Sequence, residues 1–537
     1  MRIRPLLLLF FLLNVSFCAF GQDTNLYYVF FEEKIAGDFE PQSQFTERAI
    51  LRRQKQGIEW EKTDWPVHAA FVAEIGEEVM EVRYRLKWFN AVSVAATPQQ
   101  IEKVAGLPFV REVQAFGPGG LVPAGQSPNP DRVLNPVRVM ASEDPELDTL
   151  LTLQRELMQA DLLREAGLTG KGVRIAVIDV GFKEVNTHPS LQHLMKKEQI
   201  VATRNFYKPK QEVYKHHWHG LGVLGCIAGK YGDRWIGIAP DAEFLLARTE
   251  HKVWEKVIEE DHWLAAAEWA DSMGADMINS SLGYHSRYTY SDLDGKTTLV
   301  SRAAAQAAQK GILVVTSAGN EGSGKWRYIT APADASEVLA VGGTLPFLPY
   351  RIRFSSYGPN SKQVMKPNIS APAYVLVPHL NGNFISSQGT SFSGPLIAGL
   401  AACLMEKYPE KSSEEIFTLI EQMGHLYPYY DYSHGYGIPQ PAEILIEDSS
   451  KQTPAFTAAF NEGKVSLVFA SEVVADSVNY PYGRVLYYHF EKPNGSLDSY
   501  EHKIVPIGAK GYQFQYQHKA EGVLRIWFAG TLVEREE

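Results

Sequence analysis

The stretch Arg174-Ile175-Ala176-Val177-Ile178-Asp179-Val180-Gly181 ends an apolar, largely β-branched run on a carboxylate followed by a glycine. It lacks the apolar–polar alternation of a half-exposed strand, so both faces of such a strand are buried. Similar runs recur at Phe244 to Ala247, Met277-Ile278, Ile312 to Val315 and Val338 to Val341, with helix-like segments between them. Residues 146–448 therefore read as an α/β domain, a parallel sheet with helices on both faces. Functional groups in that architecture gather just beyond the carboxyl ends of the strands, which singles out Asp179. An aspartate in an ordinary turn or helix cap would look the same locally.

Working outward, residues 449–537 change character. Val465 to Phe469, Val485 to Phe490, Tyr512 to Tyr516 and Val523 to Phe528 are strand-like, with Asn494-Gly495 as a turn, which predicts a small β-sandwich-like domain. Residues 117–145 are rich in Gly, Pro, Asn and Ser and read as a linker carrying a maturation site. Residues 22–116 form a compact α+β unit. Its strands are Tyr27 to Phe31, Trp88 to Ala95 and Phe109 to Val113, and its helices are Glu47 to Lys55 and one opened by a capping box of Thr97, Pro98 and Gln100. At the N-terminus Arg2 and Arg4, the apolar run Leu6 to Leu13 and Ala19-Phe20-Gly21 predict a secretory signal peptide over residues 1–21. The rival reading, a membrane anchor, needs about 20 apolar residues and finds far fewer. Phe17 is too bulky for lipid attachment at Cys18. The expectation is an exported chain, secreted, periplasmic or at the cell surface, with no transmembrane segment once matured.

Composition narrows the functional classes. The 537 residues are 45% hydrophobic with a net charge of −10, which supplies large cores and no basic excess to bind nucleic acid. Three cysteines cannot make a disulfide scaffold.

Three further places carry chemistry. His216-His217-Trp218-His219-Gly220 leads into a helix of small and aliphatic residues, the composition of a tightly packed central helix. A metal site on His216, His217 and His219 is the competing reading, although adjacent histidines converge poorly and no H-E-x-x-H spacing is present. Gly389-Thr390-Ser391 precedes another apolar helix and puts Ser391 at its N-terminus, where free N–H groups and the helix dipole suit an oxyanion. Ala318-Gly319-Asn320 follows a strand and offers a side-chain amide donor. An ordinary serine cap and a turn asparagine remain the plain alternatives. The chain order Asp179, His219, Ser391 is one of three in which the Ser-His-Asp triad occurs.

At this point the sequence resembles the subtilisin-like serine proteases (subtilases). The segments carrying the likeness are Ile175 to Asp179, His219-Gly220, Ser281-Leu282-Gly283, Ala318-Gly319-Asn320, Phe354 to Pro359 and Gly389-Thr390-Ser391, all in family order. The resemblance implies Ser391 as nucleophile, His219 as general base and acid, Asp179 as its orienting partner and Asn320 in the oxyanion hole. In subtilisin, losing the corresponding Asn costs roughly 10²–10³ in rate. It also implies that Ser281, Leu282, Gly283, Ala318 and Gly319 line the substrate, a polypeptide bound by β-augmentation. Residues 22–116 resemble the family propeptide, an intramolecular chaperone and inhibitor, through Asn90 to Val94 and Thr97-Pro98. Catalysis needs no cofactor in this reading. Calcium often stabilises the family, and Asp292 and Asp294 are two close carboxylates in a segment that also reads as a solvated loop. Departures from the family pattern are Val180, Leu221, Gly222 and Asn368. Cys226 and Cys403 would sit on neighbouring helices, either as two buried thiols or as a disulfide.

The expected function is an exported, self-processing serine endopeptidase active at neutral to alkaline pH, where imidazole is unprotonated. A catalytically silent scaffold that binds partners through the β domain, and a metal-dependent hydrolase, are the alternatives.

Overall fold

The computed structural model describes residues 24–35, 39–116, 139–140, 145–251, 256–446, 454–461, 463–476, 482–516 and 521–536. The signal-peptide reading, Cys18 and most of the linker lie outside them. At the centre is an eight-stranded sheet. Its order runs Leu348–Arg351, Leu339–Leu345, Leu313–Ser317, Met277–Ser280, Arg174–Asp179, Glu243–Arg248 and Ile200–Asn205, with Ile369–Pro372 also pairing Leu339–Leu345. All pairings are parallel except that of Leu348–Arg351.

Both sheet faces are covered, which is why the strands lack polar alternation. One face packs on helices His219–Ala228, Thr390–Lys407 and Ser413–Gln422 in a core that includes Val177, Leu224, Phe392 and Leu400. The other packs on Ile258–Ser272 and Leu299–Gln309 around Ile178, Trp263 and Val314. This is a subtilisin-like α/β fold with a parallel-sheet core. No helix among the described residues is long and apolar enough to cross a membrane.

The N-terminal unit is a four-stranded antiparallel sheet, ordered Glu81–Leu86, Ala91–Ala96, Asn25–Phe31, Val110–Ala115. Period-2 alternation splits its first strand between two cores: Val29 and Phe31 face its own helices, while Tyr28 and Phe30 join the core around helices Ile258–Ser272 and Leu299–Gln309 of the central domain. The Thr97–Gln100 capping box is formed. Trp88 to Asn90 are not strand. Lys87–Phe89 is a 3₁₀ turn and Asn90 is left-handed, because the N–H groups of Lys87 and Trp88 donate to Glu268 of the central domain instead of a ladder. Within 117–145, Val139–Met140 pairs antiparallel with Phe384–Ile385 at a sheet edge.

At the C-terminus two sheets of three and four strands enclose a core with Phe456, Val465, Phe490, Phe514 and Phe528. Leu497–Val505 is a strand that the sequence reading passed over. Asn494-Gly495 turns into it from Arg484–Glu491, and not into Gly511–Gln515.

Candidate active site

Asp179 is the last residue of the central strand, and its side chain is fully buried. Val180 N–H donates to its Oδ1 at 2.8 Å. His219 opens the helix His219–Ala228 with Nδ1 2.9 and 3.0 Å from the two carboxylate oxygens of Asp179. A carboxylate only accepts, so Nδ1 carries the hydrogen and Nε2 is the basic nitrogen. The His219 N–H in turn donates to Nδ1 of His217, whose φ of +36° curls its ring back over the helix start.

Ser391 is the second residue of the helix Thr390–Lys407 and is buried. Its Oγ has no hydrogen-bond partner among the described residues, so no bond to His219 is formed. Such bonds are often long in unliganded sites and tighten around substrate. The Ser391 N–H lies in the first helical turn, where amides have no intrahelical acceptor. Ser281 Oγ donates to the Ser391 carbonyl at 2.8 Å. Asn320 Oδ1 accepts from the N–H and the hydroxyl of Thr390 at 2.9 and 3.1 Å, which turns its Nδ2 donors the other way. Gly389 has φ +148°, a conformation that is nearly glycine's alone. A Cβ there would lie 3.7 Å from Asn320 Nδ2 and 3.8 Å from both N and Oγ of Ser391. Those three groups therefore border one small recess, with donors beside a hydroxyl.

Ser281, Leu282 and Gly283 leave the carboxyl end of Met277–Ser280, and Ala318 and Gly319 leave that of its parallel neighbour Leu313–Ser317. Both segments run out at the end of the sheet where Asp179 stands. Sequence reasoning missed the supporting contacts of His217, Ser281 Oγ and Thr390. Only Ser281 and Thr390 could have been suspected, as hydroxyls inside the motif segments.

Two departures from the family pattern have local causes. A Cβ on Gly222 would lie 3.0 Å from the Phe392 ring and 3.3 Å from Trp218, so a histidine there would have to push both rings aside. Asn368 accepts from Lys366 Nζ at 3.0 Å and from Ala340 N–H, and donates to Glu421 at 2.9 Å. An ionised aspartate could not donate to that glutamate.

His216, His217 and His219 do not assemble as ligands, since His219 faces Asp179 and His217 accepts from the backbone. Among the described residues the one group with ligand atoms within 4.8 Å of one another is Asp431, His434 and His502. Its chemistry does not suit a cation: His434 Nε2 accepts from Arg351 N–H and Nδ1 faces Asp431, so neither nitrogen has a lone pair to give. Asp292 and Asp294 are taken up locally, accepting from Thr289 and from Lys296 and Thr297. Cys226 and Cys403 are free thiols, and burial pushes both well above the usual thiol range.

Comparison with known proteins places this geometry in context. Residues 170–437 match the subtilase family, and residues 26–125 match the peptidase S8 propeptide domain of Bacteroidota. The chain is 30% identical over 266 residues to subtilisin DY of Bacillus licheniformis, covering 48% of this chain and 86% of that one. It is 28% identical over 287 residues to M-protease of Shouchella clausii, covering 53% and 68%. The crystal structure of fervidolysin from Fervidobacterium pennivorans, a keratinolytic enzyme related to subtilisin, shares the fold with a TM-score of 0.53 at 19% identity, over 94% of this chain and 71% of that one. With both an S8 protease domain and an S8 propeptide domain present, the chain belongs to the subtilase family of serine peptidases.

Proposed function

We propose that the protein is an exported, self-processing serine endopeptidase whose machinery is Asp179, His219, Ser391 and Asn320. Ser391 Oγ attacks the scissile carbonyl while His219 Nε2 takes its proton. The tetrahedral oxyanion is held by Asn320 Nδ2 and the Ser391 N–H, and the proton passes to the leaving amine as the acyl-enzyme forms. Water, deprotonated by the same imidazole, then releases the acid. Asp179 keeps the imidazole in the tautomer this cycle needs. The peptide lies as an added strand along Ser281-Leu282-Gly283, with Ala318-Gly319 opposite. The chain divides into a signal peptide (1–21), an inhibitory propeptide (22–116), a linker (117–145), the protease (146–448) and a β domain (449–537).

One observation carries the reading: a buried carboxylate bonded to Nδ1 of His219, at the sheet end where Asn320 Nδ2 and Ser391 border one recess. The Ser391 Oγ, unpartnered among the described residues, is what a silent scaffold would rest on. Labelling separates the two. Wild-type chain should lose its propeptide and react with a serine-directed phosphonylating agent, and Ser391→Ala should do neither. Mature protein with Ser391 intact that stays unlabelled at neutral and alkaline pH would make it a scaffold.

A further inference from the structure

Between its first strand and the helix Ala69–Glu78 the propeptide carries residues 39–65, which add no strand to its sheet and lie against the protease. The helix Glu47–Lys55 meets the carboxyl end of the protease helix Ile258–Ser272. Thr46 N–H and Oγ donate to the Ser272 carbonyl at 2.9 and 3.1 Å. Arg48 Nε donates to the Gly274 carbonyl at 3.2 Å and Arg52 Nη1 to that of Ala275 at 2.5 Å. Carbonyls at a helix end have no intrahelical donors and carry the negative pole of its dipole, so guanidinium groups complement them. Asp271 receives Arg52 at 2.5 Å and Arg53 at 2.9 Å, and Asp276 receives Arg48. Arg53 also reaches Asp64 at 2.8 Å, and Asp64 reaches Lys310 of the protease at 3.1 Å, so charges alternate across a buried seam. Burial alone would raise the Asp271 carboxyl, but Arg52, Lys87 and Arg53 outweigh it and hold it below the usual carboxylate range.

These groups stand at the beginnings of the strands. Asp276 accepts from the N–H of Arg174, the first residue of the strand whose last is Asp179. At about 3.3 Å per residue they lie some ~16 Å along the sheet from the catalytic end. They can hold the propeptide without obstructing the cleft.

We infer that Asp271, Asp276 and the carbonyls of Ser272, Gly274 and Ala275 form a guanidinium-recognition face on the protease. Its occupant is propeptide residues 46–64, an anchor separate from the sheet contact that keeps the propeptide seated after the connecting bond is cut. The inference rests on the self-processing reading above. Buried charge pairs across an interface act mainly on dissociation, so losing one side should speed release by at least about 30-fold.

The experiment follows the processed full chain by size-exclusion chromatography and by the lag before it cleaves a chromogenic peptide. Wild type should be cut and keep its propeptide. Arg52→Gln/Arg53→Gln should be cut at the same bond and lose it at least about 30-fold faster. Because that double variant could fail to fold, Arg48→Ala at the half-exposed rim provides a second measure, with release about 2–5-fold faster and less salt-sensitive than wild type. A wild-type chain that is never cut overturns the protease reading and this anchor together. A cut chain whose propeptide leaves at the same rate in wild type and Arg48→Ala overturns the anchor alone.

Discussion

On one side of the protease, Arg52, Arg53 and Asp64 of the propeptide interlock with Asp271 and Lys310 as buried ions. On another, Val485 and Tyr487 of the β domain close over Leu348, Leu426 and Tyr429 as a small apolar core, with Tyr487 Oη donating to the Pro349 carbonyl. The two histidines that the β domain brings to this second seam are neutral, beside Asp431 of the protease, an ion that, against its burial, His434 holds down at about 2. His489 Nδ1 donates to the Tyr430 carbonyl at 2.6 Å, and burial pushes His489 and His502 down to about 4. Separated ions regain their hydration, whereas bared rings and aliphatic groups cost about 25 cal/mol per Å² in water. The charged patch of the propeptide seam is thus of a kind that can open, although Tyr28, Phe30 and Trp88 add apolar contact elsewhere in it. The β-domain seam is of the kind permanent interfaces use.

The strongest challenge to that contrast is Tyr487→Ala, which should destabilise the β-domain seam by about 3–5 kcal/mol as a large-to-small core change. Thermal unfolding and limited proteolysis between the two domains would register it, while propeptide retention should not change. Equal loosening of both seams would abolish the distinction.

A subtler test uses Glu268, whose carboxylate accepts from Lys87 N–H and Trp88 N–H of the propeptide at 3.1 and 3.0 Å. Burial pushes this group up to about 7, with Lys87 offsetting only part of it. A carboxyl with a higher pKa in the complex than in the exposed state takes up a proton on binding. Its contribution is therefore full below the ordinary 4.5 and lost as pH rises through about 7. Release of the cut propeptide should be about tenfold faster at pH 8 than at pH 5.5, and Glu268→Gln should flatten that slope. Asp261, which burial raises to about 6 against the opposing pull of Arg83 and Ser93, acts in the same direction.

Elements stabilised by their own sequence were legible. The strand ending at Asp179, the helices opened by His219 and Thr390 and the Thr97 capping box need only local patterning, and that patterning is present. Elements defined by a distant partner were not. Glu81–Leu86, which the sequence analysis passed over, has arginines at alternate positions and no apolar run, yet Arg83 bonds to Asp261 across the seam. Leu497–Val505 is equally polar and becomes a strand by pairing along Arg484–Glu491. Trp88 looks like strand until Glu268 takes its amide. The motif residues of the site could be picked out by type and order, but the Asn320 amide orientation depends on Thr390, and the Ser391 backbone is tied to Ser281 through space.

Cys226 and Cys403 lie inside the core shared by the helix that starts with the imidazole and the helix that carries the hydroxyl. Sealed from solvent and held protonated, both sulfurs are inert to alkylation while that pair of helices stays packed. The enzyme thus contains two built-in mass tags for the intactness of its interior, readable without changing a single side chain.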